Sequence, residues 1–155
     1  MPDVRSDRRA AIVAGLRTPF AKSGTALRDV PAVALARHIA RELLYRTNLD
    51  GREIDQVIFS QVVASVLTPN VAREVSLLPQ LLPSVPAYTL NRACASAAQA
   101  ISNAADQIAL GHADVVLAGG VESLSDIPIL HSRRMSRGSG ERIFRRYRGS
   151  CCPES

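Results

Sequence analysis

Short apolar runs, each closed by turn residues or glycine, alternate with stretches of helical period, and this alternation restricts the fold more than any other feature of the chain. The runs are Ala10 to Gly15 (AAIVAG), Gln56 to Val62 (QVIFSQV), Ala87 to Asn91 (AYTLN) and Asp114 to Ala118 (DVVLA). The first and last, near-continuous in apolar residues, suit strands buried on both faces; the β-branched and aromatic content of the other two also marks strands. Strands alternating with helices over short connections form a parallel or mostly parallel sheet covered by helices. The expected fold class is therefore α/β. In such sheets ligands bind beyond the carboxyl ends of the strands, which is where Arg17, Cys94 and Gly119 fall, so these loops are expected to share one rim.

The helical stretches are read from their period. Asp29 is placed to cap a first helix with Pro31 near its first turn; Leu35, Ile39 and Leu43, flanked by Ala36, Ala40 and Leu44, give it one apolar face to about Arg46. Thr68 and Pro69 open a second helix carrying Val71, Val75 and Leu78, which Pro79 and Pro83 end. The third follows Cys94. Ala97, Ile101, Ala104 and Ile108 form its stripe, Ala98 and Ala105 widen it, and Gly111 is its C-terminal stop. So alanine-rich a helix is thin, and it is expected inside the protein, packed on several sides. From Ser125 onward neither period persists.

At 155 residues, 46% apolar and 21% charged, the chain is long enough for a soluble globular domain with a real core. No apolar run approaches the ~20 residues that span a bilayer, and the leading MPDVRSDRRA lacks the apolar segment of a secretory signal, so the cytoplasm is the expected compartment. The net charge of +5 is not spread along the chain. Residues 1–132 hold 11 Arg and 1 Lys against 12 Asp and Glu, whereas residues 133–155 hold 7 Arg against Glu141 and Glu154. A neutral body with a basic tail is not the footprint of a nucleic-acid-binding domain. The three cysteines make no disulfide framework, and no Cys/His spacing suits zinc. His38, His112 and His131 are scattered and read as surface or cap residues.

Chemistry concentrates at Cys94, at the junction between a strand and the alanine-rich helix. Helix-start amides without intrahelical partners and the positive end of the peptide dipole both favour a thiolate, which makes Cys94 the candidate nucleophile. The bland alternative is a small buried hydrophobe. Ser96 reads as a helix-start or packing hydroxyl rather than a second nucleophile. Arg17 is expected in a structural ion pair, with Glu122 the partner at hand. Gly119 and Gly120 let backbone approach closely after a buried strand.

The motifs N-R-A-C-A-S-A at 91–97 and A-G-G-V-E-S-L-S at 118–125, preceded by R-T-P-F at 17–20, resemble those of the thiolases, in the same order and spacing over roughly residues 9–137. The segments QVVASVLTPNVAREVSLL and DIPILHSRRMSR are similar to the thiolase subunit of the fatty-acid β-oxidation multienzyme complex. The resemblance implies a partial N-terminal thiolase domain over residues 9–125, with residues 126–155 the start of a loop region and a basic, disordered or aberrant tail. It implies acyl-CoA and CoA as substrates, no resident cofactor, and homo-oligomers. It also assigns a role to Cys94, attack on the carbonyl of a 3-ketoacyl-CoA and storage of the shortened acyl group as a thioester. Arg133, Arg134 and Arg137 fall where thiolases lead into the loop covering CoA; a solvated run is the default reading for them.

Thiolases have two similar halves, and the resemblance places a base histidine, in a GHP-type motif, and a proton-moving cysteine, in a CxG-type motif, in the second. Neither motif occurs in this sequence. Family members also continue through a long loop region and a further strand. The abrupt change to arginine-rich text ending in CCPES is what a frameshift, an early stop or a shortened gene assignment would produce. The expected activity of the chain alone is slow acylation with little turnover. The alternatives are a ketosynthase-like condensing enzyme fragment and a non-catalytic oligomerisation fragment.

Overall fold

A computed structural model describes residues 8–127. Helix α1 spans Ala32–Thr47, followed by a short 3-10 turn at Gly51–Glu53, strand β1 at Gln56–Ser60, α2 at Val71–Ser76, β2 at Ala87–Leu90, α3 at Ser96–Ala109 and β3 at Val116–Gly120. The strands form one parallel sheet in the order β2-β1-β3. Ser60 lies opposite both Leu90 and Gly120, so all three strands end at one edge. The expected α/β class with a parallel sheet is the one observed.

The central strand sorts its side chains by the two-residue period of a strand. Val57 and Phe59 join α1, α2 and Leu117 in one core, while Ile58 turns to the other face and meets Ala100 and Ala104 of α3. The result is three layers, α1 and α2 on one side and α3 on the other. Burying side chains such as Val57 and Ile58 contributes about 1.5–3 kcal/mol each, which makes β1 the spine of the domain.

Several boundaries differ from the expected ones. Helix α1 starts after Pro31 with no side-chain cap, and Asp29 pairs with Arg28 at 3.1 Å instead. Its buried line is Ala32, Ala36, Ala40 and Leu44, one residue round from Leu35, Ile39 and Leu43. Helix α2 begins at Val71, because the Asn70 side chain accepts the Arg73 N–H at 3.0 Å; Thr68 and Pro69 precede it. Gly111 does stop α3, with φ +73° and its N–H on the Ile108 carbonyl.

Two corrections are larger. Ala10 to Gly15 is not a strand, and it is open to solvent rather than buried, with Ile12 81% and Val13 90% exposed. The run lies alongside β3 in the same direction. Arg8 pairs with Asp114 at one end, and at the other Gly24 N–H donates to Ser125 Oγ at 2.9 Å. A cavity of about 530 Å³ separates the run from β3, floored by α1 residues on one side and α3 residues on the other. An extended segment becomes a strand only by pairing, and among the described residues no ladder joins this run to β3. Helix α3 is the second. Ser96, Ala100 and Ala104 are buried, but Ala97, Ala98 and Ile101 are exposed, so the helix packs on one side only among the described residues. No helix of the described residues is long and apolar enough to cross a membrane.

Candidate active site

The rim of the sheet is where the sequence motifs meet. Leu90, Ser60 and Gly120 end their strands there, and the chain leaves β2 through Asn91, Arg92 and Ala93 to reach Cys94. Cys94 is exposed and unpaired, two residues before the first residue of α3. Its exposure removes the reading of Cys94 as a small buried hydrophobe.

The turn that carries Cys94 is tightly specified. Ala93 has φ +48°, a left-handed conformation that costs an L-residue about 1–2 kcal/mol. Hydrogen bonds hold it there. The Ala93 N–H donates to Asn91 Oδ1 at 2.9 Å, and Asn91 Nδ2 donates to the Val62 carbonyl at 3.0 Å. Ser96, itself buried, accepts the Arg92 N–H at 2.7 Å and donates to the Ala93 carbonyl at 2.6 Å. The serine is thus a helix-start hydroxyl that pins the turn, as the sequence implied. A polar line continues from Arg92 to Gln99, then Asn103, whose amide donates to the Tyr88 hydroxyl at 3.0 Å.

Gly120 sets how closely β3 approaches this turn. A Cβ there would collide with the Ser60 hydroxyl and come within 3.1 Å of Ala97 Cβ in the first turn of α3. At Gly119 an added Cβ meets only the Phe59 ring, at 3.4 Å, so the close approach expected of the pair belongs to Gly120.

Arg17 and Glu122 are not the ion pair expected. The Arg17 guanidinium sits 6.0 Å from the centre of the Phe20 ring. Glu122 Oε2 instead accepts the Val62 and Val63 N–H groups, at 2.9 and 3.1 Å. Two backbone donors just beyond the end of β1 outcompete a solvated guanidinium, because their position is fixed while the arginine would lose side-chain freedom. Arg17, Phe20, Leu35, Ile39, Gly120 and Leu124 share a cavity of about 470 Å³ on the rim, which Cys94 does not line. The role of Glu122 was missed in the sequence. Its signal was a carboxylate two residues past a strand end, opposite a turn whose amides lack ladder partners.

His38 and His112 are exposed, and no three His, Cys, Asp or Glu side chains among the described residues gather as a metal ion requires. His131, Arg133, Arg134, Arg137, Cys151 and Cys152 lie outside the described residues.

Residues 10–149 match the family described as thiolase, N-terminal domain. The 3-ketoacyl-CoA thiolase of Aeromonas salmonicida is 46% identical over 133 residues, covering 86% of this chain and 30% of its own length. Its counterpart in Pseudoalteromonas translucida is 46% identical over 128 residues, 83% of this chain and 29% of its own length. This chain therefore spans about a third or less of the curated relatives it matches. A solved structure, the acetyl-CoA acetyltransferase of Bacillus anthracis, superposes with a TM-score of 0.79 at 35% identity, covering 84% of this chain and 33% of that one. With the ordered motifs, the parallel sheet and the cysteine turn now joined to these matches, the chain belongs to the thiolase family, of which it carries the N-terminal domain.

Proposed function

We propose that this chain carries the nucleophile of a 3-ketoacyl-CoA thiolase and that Cys94 is that nucleophile. The observation that supports it is the presentation of an exposed thiol on a constrained turn directly ahead of α3. The thiolate attacks the 3-keto carbonyl and forms the carbon–sulfur bond of an acyl-cysteine thioester. The bond between C2 and C3 breaks, its electron pair leaves on the acetyl-CoA enolate, and that carbon takes up a proton. A CoA thiolate then attacks the thioester, releases the shortened acyl-CoA and restores the Cys94 thiolate. Ala93, Ala95 and Ala97 are small and exposed, which leaves room for an acyl chain beside the sulfur.

In this reading the setting is fatty-acid β-oxidation in the cytoplasm. CoA and acyl-CoA are substrates and no resident cofactor takes part. The partners are a second copy of the chain and a multienzyme complex. The names of the curated relatives support the substrate class, and β2, which has no outer neighbour among the described residues, supports pairing with a second copy. The base histidine and proton-moving cysteine that the thiolase resemblance implies belong to motifs absent from this sequence. General acid–base catalysis contributes about 10² to 10⁴ in rate, so in this reading the chain alone acylates slowly, with little turnover.

Incubation with a short acyl-CoA followed by peptide mass mapping tests this. An acyl adduct on Cys94 is expected in the unaltered chain and none at position 94 in Cys94→Ser. An adduct confined to Cys151 and Cys152, or equal labelling of both proteins, rules the assignment out.

A further inference from the structure

A left-handed alanine does not hold itself. Relative to the right-handed form the conformation is disfavoured about five- to thirtyfold, so the φ of +48° at Ala93 must be imposed by its surroundings. Ser96 pins the turn from the α3 side, and two further side chains from different strand ends act on it in series. Glu122, past the end of β3, takes both the Val62 and Val63 N–H groups on one carboxylate oxygen and fixes the turn that follows β1. That turn offers the Val62 carbonyl to Asn91 Nδ2, and the other arm of the same amide accepts the Ala93 N–H. A primary amide is suited to this place because it donates and accepts at once. Asn91 is exposed and lies past the last ladder pair of β2, and its two hydrogen bonds, each of ordinary net strength, are together of the size the left-handed conformer demands.

We propose that Asn91 and Glu122 are positioning residues for Cys94: together they clamp Ala93 in the left-handed conformation that presents the thiol ahead of α3. The clamp rests on the reading of Cys94 as the acyl-accepting nucleophile. Neither residue is assigned contact with the acyl group, and both act through the backbone.

The test compares the full chain with Asn91→Ala, Glu122→Ala, Ala93→Gly and the double variant Asn91→Ala/Ala93→Gly. Backbone NMR shifts and couplings of residue 93 report φ. Peptide mapping then gives the rate at which acetyl-CoA loads Cys94, set against iodoacetamide, which needs only an exposed thiol. Asn91→Ala is expected to lose the left-handed signature and to slow acetyl loading about five- to thirtyfold, with iodoacetamide labelling unchanged. Glu122→Ala moves both readouts the same way. The double variant recovers loading, because glycine adopts φ > 0 without help.

A left-handed residue 93 that survives both alanine variants overturns the clamp, as does a double variant that stays as slow as Asn91→Ala. If Asn91→Ala unfolds, Glu122→Ala with and without Ala93→Gly carries the same comparison. An unaltered chain that takes no acetyl group, yet loses its left-handed signature in Asn91→Ala, overturns the acyl-transfer reading and leaves the clamp standing.

Discussion

The Asp55 carboxylate accepts the N–H groups of Val115 at 3.0 Å and Asp114 at 2.7 Å, tying the entrance of β1 to the entrance of β3. These bonds, Val115 first, hold its carboxyl below the ordinary value of 3.8. In the pH window beneath that value the unfolded chain binds a proton that the folded chain does not, so stability falls as the medium is acidified. The contribution is fully present above the ordinary value and lost as pH drops through the folded one. Denaturation midpoints followed downward from neutral pH are expected to fall less steeply for Asp55→Asn than for the unaltered chain; parallel curves would remove Asp55 from the account. Residues such as this mark the limit of what sequence can show. The place of Cys94 ahead of α3 is legible because a strand run gives way there to a helical period, and that of Ser96 because serine caps turns. A sequence shows the charges of Glu122 and Arg17 and so suggests their pairing, but it does not show the backbone amides left over at the end of a strand that Glu122 accepts from.

Elements were legible where a period or a terminator is written in side chains. Three of the four apolar runs became strands, and Gly111 ended α3 where expected. The run Ala10 to Gly15 has strand composition, but composition supplies no partner, and among the described residues no ladder joins it to β3. In α3 the expected Ala104 is buried, but Ser96 and Ala100 take the places expected of Ala97 and Ile101, for a related reason: several small residues in sequence offer more than one apolar face, and only packing chooses between them. These readings separate by mutation. Val13→Ser, at an exposed position, is expected to change stability by no more than about 0.5 kcal/mol, whereas Val75→Ala, at a site without solvent exposure, costs about 2 kcal/mol. Urea titrations of both variants check it, and a large loss at Val13 would mean that the first run is covered in solution.

Across the whole molecule, the three-layer plan gathers Asn91, Cys94 and Glu122 at one edge because parallel strands bring every carboxyl end to the same side. That much follows from the alternation of runs and helices, and it is why the rim could be anticipated while its individual bonds could not. The same plan leaves Ile12 and Val13 in contact with water on one side of the cavity and Ala97, Ala98 and Ile101 in contact with water on α3. Surface that is already hydrated in the folded state adds nothing to the heat capacity of unfolding. An ordinary globular chain of 155 residues would show about 1.9–2.3 kcal/mol/K. Calorimetry of this chain is expected to fall below that range, and a value inside it would remove the hydrated faces from the account. A low heat-capacity change broadens and flattens the curve of stability against temperature. The water-facing apolar surface of the first run and of α3 therefore softens how steeply the fold weakens on heating and on cooling.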